Sequence, residues 1–111
     1  ALCDLGLFSE AEENLREAVA IQQNVPNGQA DEAISWLNLA DLFHRRDGEA
    51  SEKAVDDCLR RAFSLLQTPS LPRDGYYAFV CEKCAPTFRF YGYFADAREL
   101  AEQARRIYER A

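Results

Sequence analysis

Cys81 and Cys84 stand three residues apart, a spacing that one helical turn converts into two thiols on one face, where a metal ion or a disulfide could form. A tetrahedral zinc site needs two more ligands. Cys3, Cys58 and His44 are the other candidates, and none of them belongs to a paired motif. Four cysteines without a secretory leader fit a reducing compartment. His44 is the single histidine, and no Ser, Cys or Asp stands near it in a recognisable nucleophile motif such as G-x-S-x-G. With Arg45 and Arg46 it sits where a helix ends, and cations suit the negative pole of the helix dipole there. Glu12-Glu13 and Asp56-Asp57 are adjacent carboxylates, but neighbours on a helix point about 100° apart and cannot work as a general acid and base. Enzyme chemistry is therefore unsupported, and neither a metal nor a cofactor is expected.

Composition sets the frame for these residues. Nineteen acidic against thirteen basic side chains give a formal charge of −6. Without any Lys/Arg run, this argues against nucleic acid or an anionic membrane as partner, because phosphate binding starts from positive charge. A chain of 111 residues that is 48% hydrophobic is one folded domain and not a disordered tail. Seventeen Ala and twelve Leu against nine β-branched residues favour helix over strand. No apolar run approaches the ~20 residues that cross a bilayer, and no basic-then-apolar leader opens the chain. A cytoplasmic protein is expected.

The pattern of breaks predicts five helices. The first runs from Ser9 to about Asn24, entered through a turn at Gly6 and capped by Ser9 with Glu12, with Ala11, Leu15, Ala18 and Val19 at helical spacing. Asn24-Val25-Pro26-Asn27-Gly28 ends it. The second spans about Ala30 to Arg46 and is apolar on several sides. The third, Ser51 to about Gln67, has a single apolar stripe of Ala54, Val55, Cys58, Leu59, Ala62 and Leu66. After the long break Thr68–Gly75, a fourth helix covers Tyr76 to Tyr91, with Pro86 inside it as a site of bending. Gly92 turns the chain into a fifth, Ala95 to Glu109. Eight of the aromatics lie between Tyr76 and Phe94. Half of them are expected in the core, and the rest suggest a contact surface.

The hairpins repeat. Gly6-Leu7-Phe8-Ser9-Glu10-Ala11 matches Gly92-Tyr93-Phe94-Ala95-Asp96-Ala97, and Trp36-x-x-Leu39-Ala40-x-x-Phe43 matches Cys81-x-x-Cys84-Ala85-x-x-Phe88. Small residues recur seven apart at Val55 and Ala62 and at Ala97 and Ala104. This layout resembles the tetratricopeptide repeat, whose first helix carries W-x-x-L-G-x-x-Y and whose second carries two small residues seven apart. The period of 42 to 45 residues is longer than the usual 34 and is similar to that of kinesin light chain-type arrays, and Ala replaces the signature Gly. In this register Cys81 and Cys84 occupy the slots of Trp36 and Leu39, so packing is preferred over zinc or redox chemistry for them.

The resemblance implies an all-α fold of antiparallel helix hairpins stacked as a short right-handed superhelix. It divides into half a repeat over 1–29 and full repeats over 30–74 and 75–111. The implied function is a non-enzymatic protein- or peptide-binding scaffold with a concave groove lined by Ile34, Leu37, Asp41, His44 and Arg45, then Phe79, Glu82, Pro86, Arg89 and Phe90. Related domains that grip acidic chaperone tails do so with Lys, Asn and Arg on their first helices. Here Leu37 with Asp41 and Glu82 with Pro86 occupy those positions, so the expected ligand is apolar or basic rather than acidic. The alternative is a regulatory or oligomerisation segment whose aromatic surface contacts another domain or a second copy. The first residues, without Met, read as the last turn of a helix, which leads to the expectation of a fragment of a longer protein. Its exposed apolar end would lie near Leu2, Leu5, Leu15 and Val19.

Overall fold

The computed structural model describes the backbone of residues 2–110 and the side chains of residues 7–110. The described residues form an all-α fold with no strand: α1 (Leu2–Gln23), α2 (Gln29–Asp47), α3 (Glu52–Leu66), α4 (Gly75–Phe90) and α5 (Phe94–Arg110), with a single 3₁₀ turn over Gly48–Ser51. Local chemistry sets the joints. Asp74 caps α4, its Oδ1 accepting the Tyr77 amide at 3.0 Å. At the end of α4, Gly92 adopts φ 89°, and the amides of Gly92 and Tyr93 bond back to Arg89 O at 3.1 Å and Phe88 O at 2.8 Å. That is the left-handed helix stop that glycine makes cheap. Between α1 and α2 the backbone passes so closely that a Cβ on Gly28 would lie 2.4 Å from Gln22 O.

Four of the five expected helices begin and end within a residue or so of their expected limits, and the first does not. The turn expected at Gly6 is absent, and α1 runs through it from Leu2 to Gln23. A glycine inside a helix costs only about 1 kcal/mol relative to Ala, and the Ala-, Leu- and Glu-rich sequence that follows propagates the helix. Ser9 is consequently interior and caps nothing. Its supposed partner Glu12 instead binds Arg16 at 2.8 Å and reaches Arg46 on α2 at 3.0 Å. Leu2, Cys3 and Leu5 have side chains outside the described residues, so the apolar end expected there lies outside them too. Helix α4 continues through Pro86 to Phe90.

Side-chain contacts give the direction of every packing. Arg46–Glu12 at one end and Ser35 Oγ to Gln22 Oε1 (2.9 Å) at the other set α1 antiparallel to α2. Helices α2 and α3 form one hairpin and α4 and α5 another. Helix α4 lies beside α2 and runs the same way: Tyr76 donates to Asp31 near their starts, and Tyr91 Oη to Asp41 Oδ1 at 2.7 Å near their ends. Helix α3 runs against α4, with Phe63 edge-on to Phe88 at 6.0 Å, Tyr77 Oη bonded to Leu66 O at 2.8 Å, and Tyr93 donating to Asp56.

The 45-residue register appears in burial. Leu39 and Cys84, Ala40 and Ala85, and Phe43 and Phe88 are matched pairs and all are core, as are Val55, Ala62, Ala97 and Ala104. The match breaks where the neighbours differ. Helix α2 is enclosed by α1, α3 and α4, and buries Leu37 and Leu42. Helix α4 is packed closely only by α5, with looser contacts to α2 and α3, and its matched residues are the exposed Glu82 and the half-buried Thr87. No helix among the described residues is long and apolar enough to cross a membrane.

Two carboxylates in these packings carry a pH signature. Hydrogen bonds from Arg16 and Arg46 hold Glu12 below its ordinary 4.5, and those from the Tyr93 hydroxyl and Arg60 hold Asp56 below its ordinary 3.8. A carboxyl depressed in the folded state stabilises above its unfolded pKa, and that contribution is lost as pH falls through the folded one. The urea midpoint should therefore decline below about pH 4.5. Asp56→Asn should flatten the decline, and an unchanged slope would show that the Tyr93–Asp56 contact does not form.

Candidate binding face

Five positions on α2, Asp31, Ile34, Asn38, Asp41 and Arg45, fall at alternating three- and four-residue steps and so share one helix face. Forty-five residues later, α4 repeats the steps with Tyr76, Phe79, Lys83, Pro86 and Phe90. Because the helices lie parallel and in register, the two rows adjoin. They bound a hollow of about 310 Å³ that includes Asp41, His44, Arg45, Pro86, Phe90 and Tyr91. Asp41 and Arg45 also line a neighbouring hollow of about 350 Å³, to which α1 adds Leu7, Phe8 and Ala11.

The α4 row is aromatic and open to solvent: Tyr76 is 52% exposed, Phe79 47% and Phe90 70%, and Leu7 on the α1 side is 63% exposed. Tyr76 and Phe79 stack at 6.4 Å, and the Lys83 ammonium lies 5.5 Å from the Phe79 ring centre. His44 meets Phe90 and Tyr91 edge-on at 5.8 and 5.5 Å. The α2 row is polar, and its two carboxylates face the tyrosines. The hydrogen bond to Asp31, with burial second, pushes the Tyr76 hydroxyl up to about 12. Burial first, then Asp41, pushes the Tyr91 hydroxyl up as well, so both remain donors at neutral pH.

The structure gathers Asp41, His44, Arg45 and Phe90 around one hollow, with Phe79 exposed on the same face and Ile34 half-buried beside the core. Leu37 is corrected: it is 5% exposed and belongs to the core, because α2 is packed on three sides. Glu82 and Arg89 line a different hollow of about 460 Å³ between α4 and α5, where Tyr108 Oη donates to Glu82 at 3.1 Å. Pro86 touches both hollows. Sequence reasoning missed Tyr76, Asn38, Lys83 and the α1 contribution. The first and third carried a signal, since each stands 45 residues after a position of the α2 row.

No family model matches this chain, and neither does any curated protein or solved structure with which it was compared. The chemistry of the face is its own: rings, two carboxylates engaged by tyrosines, and the side chains of His44, Arg45 and Lys83 beside them.

Cys81 and Cys84 lie in the core at 0% and 2% exposure, in the slots matched to Trp36 and Leu39, and Cys58 is buried on α3. All three are free thiols, while Cys3 falls outside the described side chains. Among the described residues no three His, Cys, Asp or Glu side chains are placed to hold a metal ion. Burial pushes Cys84 up to about 12 and Cys58 up to about 11, and raises Cys81 too. Since the thiolate is the reactive form, these three should resist a thiol reagent at pH 8 in the folded protein and react on adding denaturant. Replacing Cys81 and Cys84 together by Ala should cost a few kcal/mol in urea unfolding. Rapid native modification of Cys81 or Cys84 would contradict their placement.

Proposed function

We propose that this chain is a non-enzymatic scaffold that binds a protein or peptide segment along the α2–α4 face. The observation that carries the proposal is the pairing of two helix rows in one register, with three exposed rings on one row set opposite carboxylates on the other. Aromatic side chains lose little entropy on binding and are efficient anchors, and a cluster of them left open to solvent is costly without a partner. The reading draws on the resemblance to tetratricopeptide repeats, supported by parallel first helices 45 residues apart and by small residues between paired helices. The close packing of α1 against α2 departs from a regular array, since α3 stands further from α4.

The preferred ligand is an apolar or basic segment, with Leu or aromatic anchors beside Lys or Arg. Asp31 and Asp41 are the carboxylates of the α2 row. Lys83 stands midway along the α4 row and Arg45 and His44 near one end, and the three are too spread to form a carboxylate clamp. Three buried free thiols fit a cytoplasmic setting. Self-association or docking on another domain is the second reading, favoured by Phe94, 62% exposed outside this face, and by the hollow between α4 and α5.

Fluorescence polarisation with a basic-apolar helical peptide and an acidic peptide of equal length separates the charge preferences. The basic peptide should bind tighter, and Phe90→Ala should weaken it about tenfold, as expected for loss of an interface anchor. Tighter binding of the acidic peptide, lost in Arg45→Ala but kept in Asp41→Ala, would reverse the assignment.

A further inference from the structure

At the end of the α4–α5 hairpin remote from Gly92, Arg73, Arg106 and Arg110 converge on a hollow of about 430 Å³. Its apolar part is the side chain of Ile107, the buried Tyr77 ring lies beneath the Arg73 guanidinium, and Gln103 and Glu109 complete it. It shares no residue with the two hollows of the α2–α4 face. Three of thirteen cations thus meet around one cavity of a chain with a net charge of −6, where a solvated cation would be expected to seek the abundant carboxylates instead.

Arg73 is held in place without an acidic partner among the described residues. Its Nη1 donates to the carbonyl oxygens of Thr68 and Leu71 at 3.0 and 2.6 Å, and its guanidinium carbon lies 4.6 Å from the centre of the Tyr77 ring. Tyr77 is 1% exposed, and its hydroxyl is tied to Leu66 O, so the platform under the guanidinium is rigid. With both Nη1 hydrogens used on the loop, Nε and Nη2 keep three N–H groups for a ligand, on a side chain whose rotamer entropy is already lost. Glu109 is the carboxylate of the lining and also pairs with Arg105 at 3.8 Å, so three guanidinium groups face one carboxylate around the hollow. Arg106 touches Glu102 only at 3.5 Å.

We infer that this hollow binds an organic anion, a carboxylate or phosphate carried on an apolar or aromatic body. The guanidinium forks take the anion through charge-assisted hydrogen bonds, and the body lies against Ile107.

Titration of the 111-residue chain with phenyl phosphate, phenylacetate, benzyl alcohol and inorganic phosphate, followed by amide shifts and calorimetry, tests this. One or both aromatic anions should bind at a single site, shift the amides around Arg73, Tyr77 and Arg106, and weaken as salt is raised. Benzyl alcohol and inorganic phosphate should bind at least tenfold more weakly. Arg73→Gln should weaken binding tenfold or more. Arg110→Gln, which leaves the 68–74 loop intact, should weaken it severalfold and covers the case in which Arg73→Gln disturbs that loop. Phosphate preference over carboxylate, or the reverse, names the anion. Binding of neither aromatic anion, equal binding of benzyl alcohol, or wild-type affinity in both variants would overturn the site.

Discussion

The two hairpins are joined by tyrosine hydroxyls and aromatic edges, and the α2–α4 face follows from that seam. The α4–α5 hairpin meets α2 through Tyr76 on Asp31 and Tyr91 on Asp41, and meets α3 through Tyr93 on Asp56, Tyr77 on Leu66 O and Phe88 against Phe63. A hydrogen bond to a charged acceptor contributes about 1.5–3 kcal/mol when screened from water, and less where the pair is part-exposed as here. An edge-to-face ring pair adds about 0.5–1.5 kcal/mol beyond its buried area. Area burial alone would let parallel helices slide by a turn. The hydroxyl–carboxylate pairs stand at both ends of the α2–α4 contact, so they fix its register as well as its strength. That register lays the aromatic row of α4 beside the polar row of α2.

The same seam explains the division of the aromatic stretch from Tyr76 to Phe94. Tyr77 and Phe88 are fully buried, and Tyr91 and Tyr93 are half-buried with their hydroxyls spent on carboxylates. Tyr76, Phe79, Phe90 and Phe94 remain exposed. A helix of sixteen residues cannot hide rings on every side when it has neighbours on only some of them. The uncovered flank of α4, marked by Glu82 and Arg89, is polar for the same reason.

Much of this was legible from spacing. Gly, Pro and Asn clusters marked the limits of α2 to α5, and the matched signature residues foretold which pairs would be buried. Gly6 misled because a glycine permits a turn without compelling one. After Gly92, Tyr93 has a partner in Asp56 to fix the turn, whereas Gly6 is followed by Leu7, which has no hydroxyl to offer one. Leu37 was misplaced because its burial depends on how closely the neighbouring helices enclose α2, a tertiary fact absent from local periodicity. That Asp41, His44, Arg45 and Phe90 share one hollow follows from spacing, because a helix face is set by the 3.6-residue repeat alone. The arginine hollow could not be seen at all, since Arg73 and Arg110 are brought together only by the α4–α5 hairpin.

The most direct measurement is amide hydrogen exchange on the wild-type chain and on a variant in which Tyr76, Tyr91 and Tyr93 are all Phe. The account predicts that removing three hydroxyls leaves the helices formed but lets the α4–α5 hairpin open separately, with exchange in α4 and α5 rising about tenfold or more while α1, α2 and the α1–α2 turn keep their protection. Equal loss of protection along the whole chain, or none in α4 and α5, would contradict the claim that these hydroxyls hold the two hairpins in register.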